Sequence, residues 1–168
     1  RCRYCAFYSS TLYNIKEEYV KVLCKELQER RHYIGNEMVE TIYLGGGTPS
    51  TLTIGQLRTI CDTVYSTYPV SSSPEVTIEC NPDDLTPEFL EQLRGLPFNR
   101  ISMGVQSFND EQLKRLGRRH SAEGARKAVR NARAAGYGNI SIDLMFALPG
   151  STADEWLEYI YNDLRTRE

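Results

Sequence analysis

Two cysteines near the start of the sequence, Cys2 and Cys5, have the spacing C-x-x-C, with Tyr4 between them. This spacing brings two thiolates onto one short loop, where both can ligate a single metal ion or cluster. The same spacing occurs in redox-active pairs and zinc knuckles, and two solvent-exposed thiols are a further alternative. A zinc site needs four ligands, and none of the other candidate ligands has a spacing that pairs with this loop: Cys61, Cys80, His32 and His120.

Three consecutive glycines follow a short apolar run, in the stretch Gly45-Gly46-Gly47-Thr48-Pro49. The run itself, residues 41–44, predicts a buried strand that ends at the glycines. Glycine lets a backbone approach a ligand closely and adopt conformations closed to other residues, so the motif predicts a ligand-binding turn. The alternative is a strand–helix turn in which Thr48 or Ser50 caps the next helix. A phosphate-binding loop fits less well, because no Gly-Lys-Ser/Thr follows.

Polar residues with ligand-binding potential come at the later strands of the pattern. Glu79 and Gln106 end two successive predicted strands, Asp143 lies in the next, and Arg118 follows Gln106 by twelve residues. Parallel α/β folds bind their ligands at the carboxyl ends of the strands, which makes these four residues candidates for one site. Each has a plainer interpretation, since loop backbone often satisfies strand-end polar groups, and Arg118 beside Arg119 also suits a solvated face.

The hydrophobic pattern predicts helices and strands that alternate along nearly the whole chain. The Ser- and Pro-rich stretch 69–74 is predicted as a loop. This order predicts a parallel sheet with right-handed crossovers, either doubly wound or part of a (β/α) barrel. The predicted strands are about 41–44, 76–79, 100–105 and 140–146, and the predicted helices are about 16–34, 56–68, 87–96, 110–135 with an interruption near residue 117, and 152–164.

Length and composition bound the class of protein. The 168 residues fit one domain with a hydrophobic core, and 40% hydrophobic with 25% charged residues is typical of a soluble globular protein. The net charge of -2 gives no reason to expect nucleic-acid binding. No apolar run approaches the ~20 residues that a membrane span requires. The five cysteines show no disulfide pattern, so we expect a cytoplasmic protein in a reducing environment.

Together with a third stretch, Ser102-Met103-Gly104-Val105-Gln106-Ser107, these motifs resemble the radical S-adenosylmethionine (SAM) superfamily. Within it, the chain is similar to the oxygen-independent coproporphyrinogen III oxidase family and to the haem-chaperone (HemW) family. The superfamily signature is C-x-x-x-C-x-x-C, whose thiolates hold a [4Fe–4S] cluster, and Cys2 and Cys5 match its second and third cysteines. The first would lie four residues before Cys2, so we expect the chain, which begins at Arg1, to supply two of the three ligands.

The resemblance implies two cofactors, the [4Fe–4S] cluster and SAM, and assigns loop residues to them. Tyr4 would pack near the adenine of SAM. Gly46, Gly47 and Thr48 would bind its amino group. Phe7, which we include in the cofactor-binding loop, stands where the oxidase branch tends to carry a fourth cysteine.

The resemblance also assigns the polar residues of the later strands. Glu79 would lie near the methionine end of SAM, Gln106 and Asp143 would contact the ribose, and Arg118 would pair with the carboxylate. A guanidinium suits a carboxylate because it can donate two parallel hydrogen bonds. We assign no role to the two histidines.

The implied fold is α/β, a partial (β/α)6 radical SAM barrel. Residues 1–168 would form one core domain, with the N-terminal strand and the C-terminal part of the fold outside the chain. Phe7 favours a haem chaperone that binds the cluster, SAM and haem and transfers haem to an acceptor protein. The alternative is an oxygen-independent coproporphyrinogen III oxidase, which makes protoporphyrinogen IX by radical oxidative decarboxylation. Another radical SAM enzyme with an unrelated substrate is the third hypothesis, so whether the chain is an enzyme stays open.

Overall fold

The computed structural model describes residues 2–7, 15–159 and 161 of the chain. Within these residues, four strands alternate with six helices. The strands are β1 (Val39–Leu44), β2 (Val70–Cys80), β3 (Arg100–Gln106) and β4 (Asn139–Leu144). The helices are α1 (Lys16–Glu29), α2 (Ile54–Thr67), α3 (Pro87–Leu93), α4 (Asp110–Leu116), α5 (Ala122–Ala134) and α6 (Ala153–Glu158), and two short 3-10 helices are Pro49–Thr51 and Pro82–Asp84.

The four strands form one parallel sheet in the order β1-β2-β3-β4. Each connection therefore leads to the neighbouring strand, always in the same direction across the sheet. Because such crossovers are right-handed, their helices all pack on one face. A doubly wound sheet reverses direction at a switch point and carries helices on both faces. The strand order therefore favours an arc of a (β/α) barrel.

The two faces of this sheet have opposite character. The apolar face is buried under the helices and consists of Ile42, Val76, Ile78, Ile101, Met103 and Val105. The polar face holds the alternate residues of the same strands, including Tyr43, Thr77, Glu79, Arg100, Ser102 and Asp143. Strands covered by helices on both sides are apolar on both sides. The polar face therefore corresponds to the interior of a barrel.

Apart from α1, the described α-helices begin where the side chain of a capping residue accepts from a first-turn backbone N–H group. Thr53 starts α2 with a capping box, in which its hydroxyl accepts a hydrogen bond from the Gln56 backbone N–H and the Gln56 side chain accepts one from the Thr53 N–H. On α5 the buried residues are all alanines, which lets this helix pack closely against the sheet. Among the described helices, none is long and apolar enough to cross a membrane.

The largest departure from the predicted elements is at β2, which begins at Val70 and includes the stretch predicted as a loop. Pro74 has no backbone N–H to give to the ladder, and the β1–β2 register shifts between Val39 and Thr41. The Asn99 side chain stabilises this segment, because its Nδ2 donates to the Pro74 carbonyl (2.8 Å) and its Oδ1 accepts from the Val76 N–H (2.8 Å). A contact with a distant residue thus overrides the local loop composition.

The ends of two helices also differ from the prediction, and one of them is α3, which ends at Leu93 and not near residue 96. α1 ends at Glu29, and the following residues 30–36 form turns, as the hydrogen bond from the Arg30 N–H to the Glu26 carbonyl (2.9 Å) closes the last helical turn. The interruption near Gly117 is confirmed, since α4 ends at Leu116. α6 extends over six residues, and the rest of the helix predicted there lies largely outside the described residues.

Candidate cluster and cofactor site

The cysteine loop lies against the end of α4. Its turn is closed by a hydrogen bond from the Cys5 N–H to the Cys2 carbonyl (3.3 Å), and the Arg3 N–H donates to the Leu116 carbonyl (2.9 Å). Arg118 then places Nη1 at 3.1 Å from the Cys2 Sγ. The structure therefore brings the predicted cluster loop and the predicted carboxylate-binding arginine into direct contact.

The cysteines of the chain fall into two groups by environment. Burial alone would raise the pKa of the Cys2 thiol, but the hydrogen bond and charge of Arg118, with a hydrogen bond from Tyr4, outweigh it and lower that pKa. Burial raises the pKa of Cys61 to about 11 and that of Cys80 to about 12. Since the thiolate is the form that binds metals, Cys2 is suited to ligation and the two buried thiols are suited to packing.

The glycine motif makes a close approach to Glu79 at the ends of β1 and β2. A Cβ on Gly45 would lie 2.6 Å from the Tyr43 ring and 3.0 Å from the Glu79 carboxyl group, so a side chain there would displace these two groups. Gly46 has φ +105°, a conformation that favours glycine. Around Gly46 and Gly47 no atom lies within 4 Å of where a Cβ would stand. The turn thus leaves room for a ligand at its backbone.

Glu79 is fixed through both carboxylate oxygens. The Tyr43 hydroxyl donates to Oε1 (2.8 Å), and the Gly46 backbone N–H donates to Oε2 (3.1 Å). Burial, the Glu79 hydrogen bond and the Glu79 charge raise the pKa of Tyr43, so the phenol keeps its proton and acts as the donor. The glycine motif and Glu79 are therefore parts of one structural unit, and Tyr43 is an addition that sequence reasoning missed.

Arg118 is surrounded by acceptors, yet one of its three nitrogens has no hydrogen-bond partner among the described residues. Its Nη2 donates to the Asn81 Oδ1 (3.0 Å) and to the Gly104 carbonyl, while Nη1 donates to Cys2. Its Nε is buried and has no hydrogen-bond partner among the described residues. A buried N–H without a partner is costly, so this atom indicates a place for an acceptor from a ligand.

Gln106 takes a conformation that few residues other than glycine adopt. Its φ is +74°, and the β3–β4 register shifts between Gly104 and Gln106. The Met145 N–H donates to the Gln106 carbonyl (2.9 Å) and holds this backbone in place. A Cβ on Gly104 would meet the Gln106 Nε2 at 3.2 Å and the Arg118 Nη2 at 3.5 Å. Strained non-glycine residues cluster at functional sites, and Gly104 leaves room beside it for the Gln106 and Arg118 side chains.

Asp143 lies opposite Gly104 in the β3–β4 register and belongs to the polar face. The residue is exposed, yet the burial that its carboxyl group does undergo and the negative charge of Glu79 raise its pKa, while Arg100 acts in the opposite direction. Asp143 therefore shares an electrostatic environment with Glu79 across the sheet.

The other candidates of the sequence analysis differ in their surroundings, and Tyr4 is the one that hydrogen-bonds to Cys2. Phe7 is 66% exposed and Tyr4 is 43% exposed. Thr48 precedes a 3-10 helix without capping it through its side chain, and its carbonyl instead accepts from the Thr51 N–H (3.0 Å). The capping alternative for Thr48 is therefore wrong. His120 is buried with Nε2 at 3.0 Å from the Val105 carbonyl, which explains it as a packing residue.

Comparison with known proteins decides the family, since the family model described as the Radical SAM superfamily matches residues 1–160. The chain belongs to the radical SAM superfamily. It is 37% identical to the haem chaperone HemW of Escherichia coli over 167 residues, 98% of this chain and 43% of that protein. It is 38% identical to HemW of Bacillus subtilis over 153 residues, 90% of this chain and 40% of that protein. The chain thus spans about two fifths of the length of these relatives.

Among solved structures, the chain is similar to the E. coli coproporphyrinogen III oxidase HemN, described as a radical SAM enzyme. The TM-score is 0.80 and the identity 27%, over 91% of this chain and 35% of that one. This similarity and the one-sided helix packing confirm the predicted α/β fold as a partial radical SAM barrel.

The superfamily implies a [4Fe–4S] cluster and SAM. The residues present fit these groups in that Cys2 and Cys5 provide two thiols of the cluster signature and Arg118 provides a buried donor. Cys2 has the lowered pKa of a ligand thiol and shares a turn with Cys5. The buried Nε of Arg118 is an unmet donor beside them. In the part of the chain that the structure describes, no group of three or more His, Cys, Asp or Glu side chains could hold a metal ion. Ligation of a cluster by Cys2 and Cys5 therefore stays a prediction.

Sequence reasoning missed three residues that complete the site. Tyr43 and Asn81 hold the predicted residues Glu79 and Arg118, and Gly104 provides space for Gln106 and Arg118. Gly104 lies inside the motif at residues 102–107, but no local pattern distinguishes Asn81, a strand-end asparagine that binds a distant arginine. The individual roles of the site residues toward a cofactor stay predictions.

Proposed function

We propose that the chain is the radical SAM core of a haem-chaperone-like protein, which binds a [4Fe–4S] cluster, SAM and haem and passes haem to an acceptor protein. Residues 1–168 act in this proposal as one core domain. The observation that supports cofactor binding is Arg118, which contacts Cys2 and keeps a buried Nε–H for a further acceptor. Phe7 favours the chaperone over the oxidase, in agreement with the names of the relatives.

Four residues would form the two ends of the cofactor site. Cys2 and Cys5 would hold iron as thiolates, and the chemistry that a bound cluster would supply there is electron transfer to SAM. The Glu79 carboxylate, held by two donors, accepts hydrogen bonds from the SAM amino group. The Arg118 Nε donates to the SAM carboxylate. A positive and a negative group of the protein thus face the opposite charges of the amino-acid end of SAM.

The rest of the cofactor would lie along the strand ends. Gln106 and Asp143 hydrogen-bond the two ribose hydroxyls, and Tyr4 and Phe7 pack at the adenine side. The backbone of the glycine motif follows the cofactor closely, because Gly46 and Gly47 have open space where side chains would stand. The polar face of the sheet would then be free to bind a second ligand next to the cofactor.

The second candidate function is that of an oxygen-independent coproporphyrinogen III oxidase. The specific observation in its favour is the similarity of the fold to the E. coli enzyme HemN, at a TM-score of 0.80. In this hypothesis the substrate is a porphyrinogen, whose propionate side chains would face the polar face of the sheet. Arg100, which donates to the Thr77 hydroxyl (3.3 Å), is a cation on that face.

One experiment separates the two candidates. The protein is reconstituted anaerobically with iron and sulfide, then given a reductant, SAM and coproporphyrinogen III, and assayed for protoporphyrinogen IX. A haem titration followed by absorbance is run in parallel. We expect saturable haem binding and no turnover. Turnover would overturn the chaperone proposal in favour of the oxidase, and neither turnover nor haem binding would overturn both.

A further inference from the structure

Two adjacent arginines in the connection between α4 and α5, Arg118 and Arg119, have different hydrogen-bond and ion-pair partners. Arg119 pairs with acidic side chains, with Nε at 3.7 Å from an Asp83 oxygen and Nη2 at 3.8 Å from an Asp84 oxygen. Arg118 donates to the Asn81 amide oxygen and the Gly104 carbonyl, which are both neutral, in addition to Cys2. Asp83 and Asp84 therefore neutralise Arg119. The Asn81 and Gly104 oxygens orient the Arg118 guanidinium but do not neutralise its charge.

A network of hydrogen bonds fixes the position of Asn81. Its backbone N–H donates to the Ser50 Oγ (3.2 Å), and the buried Ser50 hydroxyl donates to the Asp84 Oδ2 (2.6 Å). Asp84 thereby accepts from Ser50 and pairs with Arg119. These bonds tie the segment after the glycine motif, the end of β2 and the arginine pair into one network. The position of the Asn81 amide, and hence that of the Arg118 guanidinium, follows from this network.

The chemistry of an amide distinguishes asparagine from aspartate at this position. An amide oxygen fixes the direction of a guanidinium by a hydrogen bond without adding charge. A carboxylate at 3.0 Å would form an ion pair with Arg118 and compete for it with any anionic ligand. Asparagine and aspartate have nearly the same size, so the difference between them is one of charge.

We propose that Asn81 is a positioning residue, which aims the Arg118 guanidinium at the carboxylate of bound SAM and leaves its positive charge available for that contact. The inference rests on the proposed function, because it takes the partner of the free Arg118 Nε to be the SAM carboxylate. The new element is that Asn81, a neutral side chain that need not touch the cofactor, makes the site selective for that carboxylate.

The test compares two ligands and three variants in the anaerobically reconstituted protein. Dissociation constants are measured by equilibrium dialysis for SAM and for decarboxylated SAM, which lacks the carboxylate. The variants are Asn81→Asp, Asn81→Ala and, as a control with the same change of charge, Asn36→Asp in the exposed turn between α1 and β1. Cluster content is matched by the visible absorbance of each sample.

We expect Asn81→Asp to weaken SAM binding by tenfold or more, since hydrogen bonds to charged groups contribute about 1.5–3 kcal/mol. Its affinity for decarboxylated SAM should stay within about twofold of the wild type, because that ligand makes no use of the Arg118 charge. Asn81→Ala should weaken SAM several-fold by releasing the guanidinium, and Asn36→Asp should change neither ligand.

Different results would overturn the inference and the proposed function separately. Wild-type affinity for SAM in both Asn81 variants would overturn the inference alone, and so would an equal loss for both ligands, which indicates only structural damage. Failure of the wild-type protein to bind SAM would overturn the proposed function together with the inference. If Asn81→Asp does not fold, Asn81→Ala provides the same comparison between the two ligands.

Discussion

Alternate residues of the same four strands form the apolar and polar faces of the sheet. The apolar face stabilises the fold, and the polar face carries candidate site residues. On β2 the buried Ile78 precedes Glu79, and on β3 the buried Met103 precedes Gly104. The apolar residues contact the helices and hold the arc together. The polar residues hydrogen-bond to one another, as Tyr43 does to Glu79.

This division follows from the geometry of a strand, in which successive side chains point to opposite sides. It places each site residue directly beside a core residue, so the core fixes the backbone of the site. It also predicts that substitutions on the two faces have separable effects. Changes on the apolar face should lower stability, and changes on the polar face should alter binding.

The largest effect that separates the two faces is expected at Ile101, which is 0% exposed on the apolar face of β3. Ile101→Ala should lower the free energy of unfolding by about 2–5 kcal/mol, because it removes buried methyl groups and leaves a cavity. The control is Thr41→Ala, an exposed position of β1 at the polar face, which should change stability by no more than about 0.5 kcal/mol. Urea unfolding followed by circular dichroism measures both.

A small effect of Ile101→Ala, comparable with that of Thr41→Ala, would contradict the assignment of stability to the apolar face. The affinity of the folded Ile101→Ala protein for SAM gives a second check. It should remain close to that of the wild type, since Ile101 contributes to the core and its side chain faces away from the site.

Much of this division could be predicted from the sequence. Apolar runs located all four strands, and the polar residues Glu79 and Gln106 at their ends indicated where a ligand would bind. The similarity to radical SAM proteins then predicted which kind of barrel these strands form. These features depend on residues close together in the chain, and a local pattern reports them well.

The missed features depend on residues that are distant in the chain. Asn81 and Arg118 are 37 positions apart, and Tyr43 and Glu79 are 36 apart. The start of β2 at Val70 was missed because its pairing with β1 outweighs the loop-like composition of that segment. A single sequence contains no local signal for such contacts, since they arise only when the sheet assembles.

A smaller effect, limited to binding, is expected from Tyr43→Phe on the polar face. This change removes the hydroxyl that donates to the Glu79 Oε1 and keeps the ring. The loss of one hydrogen bond to a charged acceptor should weaken SAM binding by about fivefold, or about 1 kcal/mol. The control Tyr33→Phe removes a hydroxyl from a residue that is 83% exposed and should have no effect. Isothermal titration of the reconstituted proteins with SAM measures both, and equal affinities would show that Glu79 does not need Tyr43.

The smallest expected effect is on stability, and it shows whether the Asp143 carboxylate on the polar face destabilises the fold. Burial and the Glu79 charge raise the folded-state pKa of Asp143, so the folded protein binds this proton more tightly than the unfolded chain does. Stability therefore falls as the pH rises from the unfolded pKa of about 3.9 through the raised folded value. Asp143→Asn should then be more stable than the wild type at pH 7, by less than about 0.5 kcal/mol because water screens exposed charges.

This gain in the Asp143→Asn protein should shrink as the pH falls toward 4, where the wild-type carboxyl takes up its proton. Thermal unfolding between pH 7 and pH 4 measures the difference, with Glu91→Gln, an exposed residue of α3, as the charge-matched control. A lower stability of Asp143→Asn at pH 7 would contradict the division between the faces, because the carboxylate would then help to hold the sheet together. A gain that disappears with acid would show that the two neighbouring carboxylates are kept together at a cost to the fold, as expected of residues retained for binding.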